Sequence, residues 1–292
     1  MPLVILGATA SGKSNLAVEV ARRIGGTVVN GDPFQSLAGL EIGTGQPSEA
    51  ERAGVPHVGY GVFPPTHRPD PVSFGLSARG WLAAASNPVL VTGSGLYLRG
   101  IWNQLSDLPP VSAAIVDRVR VWSRQLGAPR LFRWLAAIDP ARATQLHPND
   151  GARIQRALAL HLATGRRPSL LLDGIRTGVP EGWSALLVVP QREALRRRIE
   201  ARVAAQIDTG WAEEVARLVQ DGHQPDLEAL RPLGYADWML GGPQRKVQDR
   251  IVLATLAYAK RQGTFFRNQW PEIPAWDPDR DDLPQAFALL GV

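Results

Sequence analysis

Residues 3 to 14 read Leu-Val-Ile-Leu-Gly-Ala-Thr-Ala-Ser-Gly-Lys-Ser, an apolar run followed by the spacing G-x-x-x-x-G-K-S. That spacing specifies a strand, a phosphate loop and the start of a helix. Leu3 to Leu6 suit a buried parallel strand. Gly7 and Gly12 let the intervening Ala8, Thr9, Ala10 and Ser11 curl so that successive N–H groups face one anion. Lys13 adds a point charge and Ser14 a hydroxyl for Mg²⁺. A helix over Asn15 to Ile24 points its positive end at the same anion. Only three of the 32 basic residues are lysines, Lys13, Lys246 and Lys260. A chain that otherwise uses arginine keeps lysine at position 13 because a compact ammonium fits inside a phosphate loop and a guanidinium does not.

The 292 residues suffice for one large domain or two modest ones, and 45% hydrophobic with 20% charged residues is a globular composition. No apolar run approaches the roughly 20 residues of a membrane span, and the N-terminus begins with a strand in place of a signal peptide, so a cytoplasmic protein with no membrane contact is expected. Zero cysteines exclude disulfides and thiolate zinc sites, and five scattered histidines offer no metal-ligand spacing. A net charge of +5 permits a polyanionic partner without requiring one.

A second strand over Thr27 to Asn30 ends in Gly31-Asp32-Pro33-Phe34-Gln35-Ser36, which puts Asp32 and Gln35 beside the phosphate loop if the sheet is doubly wound. Residues 39 to 75 form loop and short helix, and a helix follows from about Phe74 to Ala85. A further strand, Pro88 to Val91, leads into Thr92-Gly93-Ser94-Gly95. That strand lacks the acidic end typical of phosphoryl-transfer enzymes, which leaves Asp32 as the best carboxylate for the site. From Pro109 the pattern becomes helical: Ile115, Val119, Trp122 and Leu126 form one stripe, Leu131 to Ile138 a second helix, and His147-Pro148-Asn149-Asp150 caps a third that Gly165 stops. Arg153 and Arg156 share a face of that helix. Ser184 to Val189 is another strand, followed by a helix with Leu195, Ile199, Val203 and Ile207 inward. Arg198 and Arg202 of that helix, unranked against each other, are in reach of a phosphate. A long helix with Val247, Ile251, Ala254 and Tyr258 inward ends in Ala259-Lys260-Arg261-Gln262-Gly263-Thr264-Phe265-Phe266-Arg267. Its interleaved basic and aromatic residues suit either a nucleic-acid backbone or a core stripe with a charged rim. The tail from Pro271 is uninformative. The pattern predicts an α/β fold, a P-loop NTPase-like doubly wound parallel sheet over 1–108 and 183–292, with a helical insertion domain over 109–182.

These stretches together resemble the tRNA dimethylallyltransferase (tRNA isopentenyltransferase) family from Gly7 to about Arg267. The motifs, in order, are Gly-Ala-Thr-Ala-Ser-Gly-Lys-Ser, Gly31-Asp32 with Gln35, Ile42-Gly43-Thr44 with Pro47, Gly93-Ser94-Gly95-Leu96-Tyr97, His147-Pro148-Asn149-Asp150 with Arg153 and Arg156-Ala157-Leu158, Leu233-Gly234-Tyr235, and Tyr258-Ala259-Lys260-Arg261-Gln262. The chain departs from the family pattern at Pro33, Leu37, Gln46, Ser94 and Ala159, where serine, tyrosine, lysine, threonine and glutamate are usual. The resemblance implies transfer of a dimethylallyl group from dimethylallyl diphosphate to N6 of the adenine just 3′ of the tRNA anticodon, by a monomer using Mg²⁺. Asp32 is then the base and Ser94 the hydroxyl that orients the leaving oxygen. Residues Gly7 to Ser14 with Arg198 and Arg202 hold diphosphate, and Ser14 holds the metal. Asp32, Gln35, Arg153, Arg156, Gly234, Tyr235, Lys260, Arg261 and Gln262 contact the anticodon stem-loop, whose adenine is flipped into a channel. The alternatives are a small-molecule or nucleotide kinase, a prenyltransferase for free adenine nucleotides, and a non-catalytic RNA-binding protein.

Overall fold

The computed structural model describes residues 1–105, 108–172 and 178–292. It divides into two compact units, Met1–Asn103 with Thr177–Val292, and Gln104–Arg176. Residues 173–177, at the end of the expected insertion, lie outside the described residues.

In the first unit, β1 (Leu3–Gly7) is followed by α1 (Lys13–Ile24), β2 (Thr27–Asn30), a 3-10 turn at Phe34–Ser36, the short helices α2 (Glu41–Thr44) and α3 (Glu49–Arg52), β3 (His57–Val58), α4 (Pro71–Ala84), β4 (Pro88–Thr92) and α5 (Gly95–Ile101). The second unit holds α6 (Ala113–Leu126), α7 (Ala128–Ile138), α8 (Pro140–Thr144), α9 (Gly151–Thr164) and α10 (Pro168–Leu172). The first unit resumes with β5 (Ser184–Val188), α11 (Arg192–Asp208), α12 (Trp211–Gln220), α13 (Gln224–Leu230), α14 (Tyr235–Leu240), α15 (Gln244–Gln269), β6 (Ala275–Trp276) and α16 (Leu283–Leu290).

The six strands form one sheet in the order β3-β2-β4-β1-β5-β6, every pairing parallel. Along β1 successive side chains point to opposite faces: Leu3 and Ile5 join Leu16, Val20 and Leu290 on one side, Val4 and Leu6 join Phe74, Leu98, Phe266 and Trp270 on the other. Burial on both faces explains why β1 reads as an unbroken apolar run. The chain passes from β1 to β2 on one side and from β4 to β5 on the other, so the loops after β1, β2 and β4 meet at the carboxyl edge, where a doubly wound sheet holds its ligand.

Two parts of the sequence reading need correction. The tail after Pro271 is structured: Ala275 and Trp276 pair with Leu187 and Val188 of β5, and α16 opens on a capping box between Asp282 and Gln285. A two-residue strand has no period to detect. The buried stripe of α15 runs through Val247, Ile251, Thr255, Ala259, Gln262 and Phe266, leaving Ala254 and Tyr258 half-buried at its edge. In the second unit, Asp150 caps α9 by accepting the Arg153 N–H and Gly165 (φ 67°) ends it, as the sequence predicts. Val119, Leu131, Leu135, Ile154 and Leu158 form this unit's own core, while Leu126 falls outside the stripe and is exposed.

Candidate active site

The phosphate loop gets its curl from two left-handed residues, Ala10 (φ 59°) and Gly12 (φ 96°). Glycine is needed at position 7, where a Cβ would lie 2.5 Å from the Ser11 hydroxyl. Ser11 is fully buried and braces the turn: its N–H donates to the Ala8 carbonyl (3.2 Å) and its Oγ accepts the Lys13 N–H (3.4 Å). α1 starts without a side-chain cap and without an acidic residue in its first turn, so its positive end stays open toward an anion. Lys13 Nζ donates to the Ala8 carbonyl at 3.2 Å. Burial first and the Arg202 charge second, opposed by Asp32, together lower its pKa to about 8. An ammonium so held gains most when an anion arrives. Ser14 is exposed beside it.

Two arginines of α11 close the loop. Arg198 donates from Nη1 to the Ser11 carbonyl (3.2 Å) and from Nη2 to Asp279 (2.6 Å). Arg202 donates from Nη2 to the Thr44 carbonyl (3.2 Å) and lies so close to Gly45 (φ 66°) that a Cβ there would have to displace its guanidinium. Together with Lys13, Ser14, Gly45, Gln46 and Tyr60 they line a cleft of about 1210 Å³.

Opposite the loop stands Asp32. Its peptide is clamped by the fully buried Asn30, whose Oδ1 accepts the Asp32 N–H (2.8 Å) and whose Nδ2 donates to the carbonyls of Asp32 (2.9 Å) and Gly59 (2.8 Å). The carboxylate accepts the Phe34 N–H on Oδ1 (3.0 Å) and the Ser94 hydroxyl on Oδ2 (3.4 Å). Burial raises its pKa, against the Phe34 amide, the Lys13 charge, the Gln35 amide and the Ser94 hydroxyl, which lower it. Ser94 is fixed by Thr92, whose Oγ1 accepts the Ser94 N–H (3.0 Å) and donates to the Gly31 carbonyl (2.7 Å), joining the ends of β2 and β4. Tyr258 belongs to the same constellation: burial and the Asp32 charge push its hydroxyl up to about 12, while side-chain hydrogen bonds with Ser94 and Gln262 act the other way. It is a neutral phenol at ordinary pH.

Several residues expected at the RNA surface are elsewhere. Tyr235 is fully buried and donates to Glu214 (2.7 Å), and Gly234 (φ 86°) is packed against Trp211. Both serve a core cluster, so neither presents a side chain to RNA. Glu214, itself buried, also accepts the N–H groups of Ile42 (2.7 Å) and Gly43 (3.0 Å), which fixes the start of α2 beneath the cleft. The Gln262 amide is buried, with Oε1 accepting the Thr9 N–H (2.9 Å) and Nε2 donating to the Gly93 carbonyl (2.8 Å). Thr9's amide is therefore committed to Gln262 and does not face an anion. Gln35 donates to the carbonyls of Thr44 (3.1 Å) and Gly45 (2.8 Å), bracing the same α2 loop. Lys260 and Arg261 are exposed, Arg261 lying 5.7 Å over the Tyr258 ring. In the second unit Arg153 and Arg156 are exposed, with Arg153 paired to Asp150 at 3.5 Å.

The departures from the family pattern have structural counterparts. Leu37 is fully buried in the cluster with Leu40 and Trp211, and Ala159 is buried in the core of the second unit. Gln46 donates to the Leu37 carbonyl (2.7 Å). The Pro33 carbonyl accepts the Ser36 hydroxyl (2.6 Å). Asn30, Thr92, Glu214 and Tyr258 are the contributors the sequence reading missed, and nothing in a single sequence separates a clamp such as Asn30 from a turn residue. The charge division was available and overlooked: residues 104–176 hold eleven arginines and five aspartates, a net +6, against +5 for the whole chain.

The family model described as IPP transferase matches residues 35–269, and that described as isopentenyl transferase matches residues 2–58. The tRNA dimethylallyltransferase of Rhodospirillum centenum is 40% identical over 286 residues, covering 94% of this chain and 91% of the relative. That of Halorhodospira halophila is 39% identical over 289 residues, covering 95% and 93%. Among solved structures, the tRNA isopentenylpyrophosphate transferase of Bacillus halodurans superposes with a TM-score of 0.68 at 26% identity, covering 99% of this chain and 94% of that one. A eukaryotic dimethylallyltransferase, solved acting on tRNA, shares the fold with a TM-score of 0.79 at 22% identity, covering 98% and 77%. With a family match across most of its length and relatives at this identity, the chain belongs to the IPP transferase family.

Proposed function

We propose that the protein transfers a dimethylallyl group from dimethylallyl diphosphate to N6 of the adenine 3′-adjacent to the tRNA anticodon, releasing diphosphate. The observation that carries this is the facing pair of Asp32, just past β2, and Lys13, at the start of α1, one carboxylate and one ammonium at the same carboxyl edge of the sheet, each sensing the other's charge. The allylic C–O bond breaks and its electron pair leaves on the diphosphate, where the phosphate-loop amides, Lys13, Arg198 and Arg202 stabilise the growing charge. The N6 lone pair forms the C–N bond, and the N6 proton passes to Asp32, whose raised pKa suits it to accept one. Ser94, hydrogen-bonded to Asp32, orients the leaving oxygen.

Among the described residues no group of three acidic, histidine or cysteine side chains gathers to hold a metal. The exposed Ser14 hydroxyl beside Lys13 fits Mg²⁺ of the kind that keeps several waters and rides on substrate phosphates. Such an ion supplies further charge neutralisation to the diphosphate. The helical insertion over 109–182, with Arg153 and Arg156, and the exposed Lys260 and Arg261 supply the anticodon stem-loop contacts. A monomer in the cytoplasm, where tRNA is modified, completes the proposal. Among the described residues no helix is long and apolar enough to cross a membrane.

The test is to incubate the protein with Mg²⁺, dimethylallyl diphosphate and an adenine-containing anticodon stem-loop, and to weigh the RNA. A gain of one prenyl unit is expected, with none on free AMP or ATP and no phosphoryl transfer from ATP. An unchanged RNA mass beside an active control enzyme overturns the proposal.

A further inference from the structure

An amide in the middle of a buried helix stripe is costly unless both of its halves are bonded. Gln262 sits on such a stripe, between Ala259 and Phe266 of the 26-residue α15, and both halves are used. Neither partner is local: Thr9 follows β1 and Gly93 follows β4, so one side chain spans the two loops that hold the opposite ends of the reaction. Their approach to α15 is built in. A Cβ on Gly93 would lie 2.6 Å from the Gln262 amide nitrogen and 3.0 Å from the Gly7 carbonyl, and one on Gly95 would run into the Phe265 ring. One turn earlier on the same helix, the half-buried Tyr258 lies near enough to Ser94 and Gln262 for both side chains to lower its hydroxyl's pKa. One side chain of α15 thus touches the phosphate loop at Thr9 and the Ser94 turn at Gly93.

We propose that Gln262 is a positioning residue that sets the spacing between the phosphate loop and the Ser94–Asp32 pair, and does not itself contact RNA. This rests on the roles proposed above for that loop and for Asp32. Only a side chain that accepts at one atom and donates at another closes the link, because Thr9 offers an N–H and Gly93 a carbonyl. With the link open, the allylic carbon held by the diphosphate and the adenine nitrogen beside Asp32 lose their register, and a displacement of about 1 Å in such a pair costs on the order of 100-fold in rate.

The experiment compares wild type, Gln262→Met and Gln262→Glu in single-turnover prenyl transfer, with activity normalised to the folded fraction and with Michaelis constants for both substrates. Gln262→Met fills the same volume without either bond, and kcat is expected to fall on the order of 10–100-fold while the stem-loop KM stays within about twofold. In Gln262→Glu a carboxylate repels the Gly93 carbonyl, whereas the protonated acid accepts from Thr9 and donates to Gly93 as the amide does. The activity of Gln262→Glu relative to wild type is therefore expected to rise as pH falls. Lys13, Asp32 and Tyr258, the titratable groups of the same constellation, are common to both enzymes and cancel in that ratio. A normal kcat in folded Gln262→Met, or a defect confined to the stem-loop KM, overturns the proposal. If the Met variant does not fold, a pH-independent Glu-to-wild-type ratio overturns it instead. Failure of the proposed function is separate, since it appears as an inactive wild type.

Discussion

Asp32 and Lys13 are each held in a state that folding alone disfavours. Burial raises the Asp32 pKa above its ordinary value of 3.8 and lowers that of Lys13 from 10.5 to about 8. The kcat/KM profile is therefore expected to fall on the acid side, as Asp32 takes up a proton, and on the alkaline side above about 8, as Lys13 loses its charge. Bound diphosphate favours the ammonium, so the alkaline limb of kcat should lie at higher pH than that of kcat/KM; coincident limbs would detach Lys13 from the diphosphate. The stability sign follows from the same shift. A carboxylate whose folded pKa is raised destabilises the fold at every pH above that pKa, and the loss disappears as pH falls below 3.8. Asp32→Asn keeps an oxygen for the Phe34 N–H, so at neutral pH it is expected to hold or raise the melting temperature while cutting transfer by about 10²–10⁴-fold. Calorimetry beside a single-turnover assay checks both halves. The sequence placed these two groups correctly because G-x-x-x-x-G-K-S and a strand-end aspartate fix backbone position. The resemblance puts Gln262 and Tyr235 at the RNA, whereas the structure buries both, and no polarity pattern reveals this because the amide and the phenol are satisfied by hydrogen bonds inside the core.

At the scale of elements, the C-terminal tail does what its composition concealed. β6 extends the sheet beside β5, and the turn after it presents Asp279 to Arg198, the same arginine that donates to Ser11 in the phosphate loop. The turn is stiffened by Asp277, which accepts the Asp279 N–H (2.9 Å), and by Asp281, which accepts the Asp277 N–H (2.8 Å). A guanidinium anchored at one nitrogen has fewer orientations to lose when diphosphate arrives. Asp279→Ala is expected to raise the KM for dimethylallyl diphosphate by about 3–10-fold with little change in kcat, as loss of uniform binding does. In an Arg198→Ala background the same change should add almost nothing, because the tail acts through that side chain. An undiminished effect in the double variant would separate the tail from Arg198. The sequence shows α1 through the phosphate-loop spacing, α9 through its Asp150 cap and Gly165 stop, and α11 through its apolar stripe, and α4 begins at Pro71, earlier than the expected Phe74. β3 and β6, two residues each, were not, since strands that short are set by pairing with a neighbour already in place.

At the scale of the whole molecule, charge and chemistry are divided. Residues 104–176 have a net +6 and the rest of the chain a net −1, although the rest holds the phosphate loop with Arg198 and Arg202 of α11. Under the proposed function, a core that is nearly neutral overall would recognise diphosphate through a few aimed groups, and the insertion would offer its cationic surface to the RNA. Ion pairs of the second kind release counterions and weaken with salt, and those of the first kind are largely shielded from it. Arg153→Gln with Arg156→Gln, both exposed, is therefore expected to weaken stem-loop binding and to reduce the slope of log affinity against log salt by roughly 1–2, about one for each phosphate that is no longer neutralised. The KM for dimethylallyl diphosphate should not move, and the same change at Arg192 and Arg197, equally exposed on α11, should leave the slope within error. Titrations at several salt concentrations decide it. An unchanged slope in the Arg153 and Arg156 variant would mean that the positive charge of the insertion does not meet the RNA backbone at this helix.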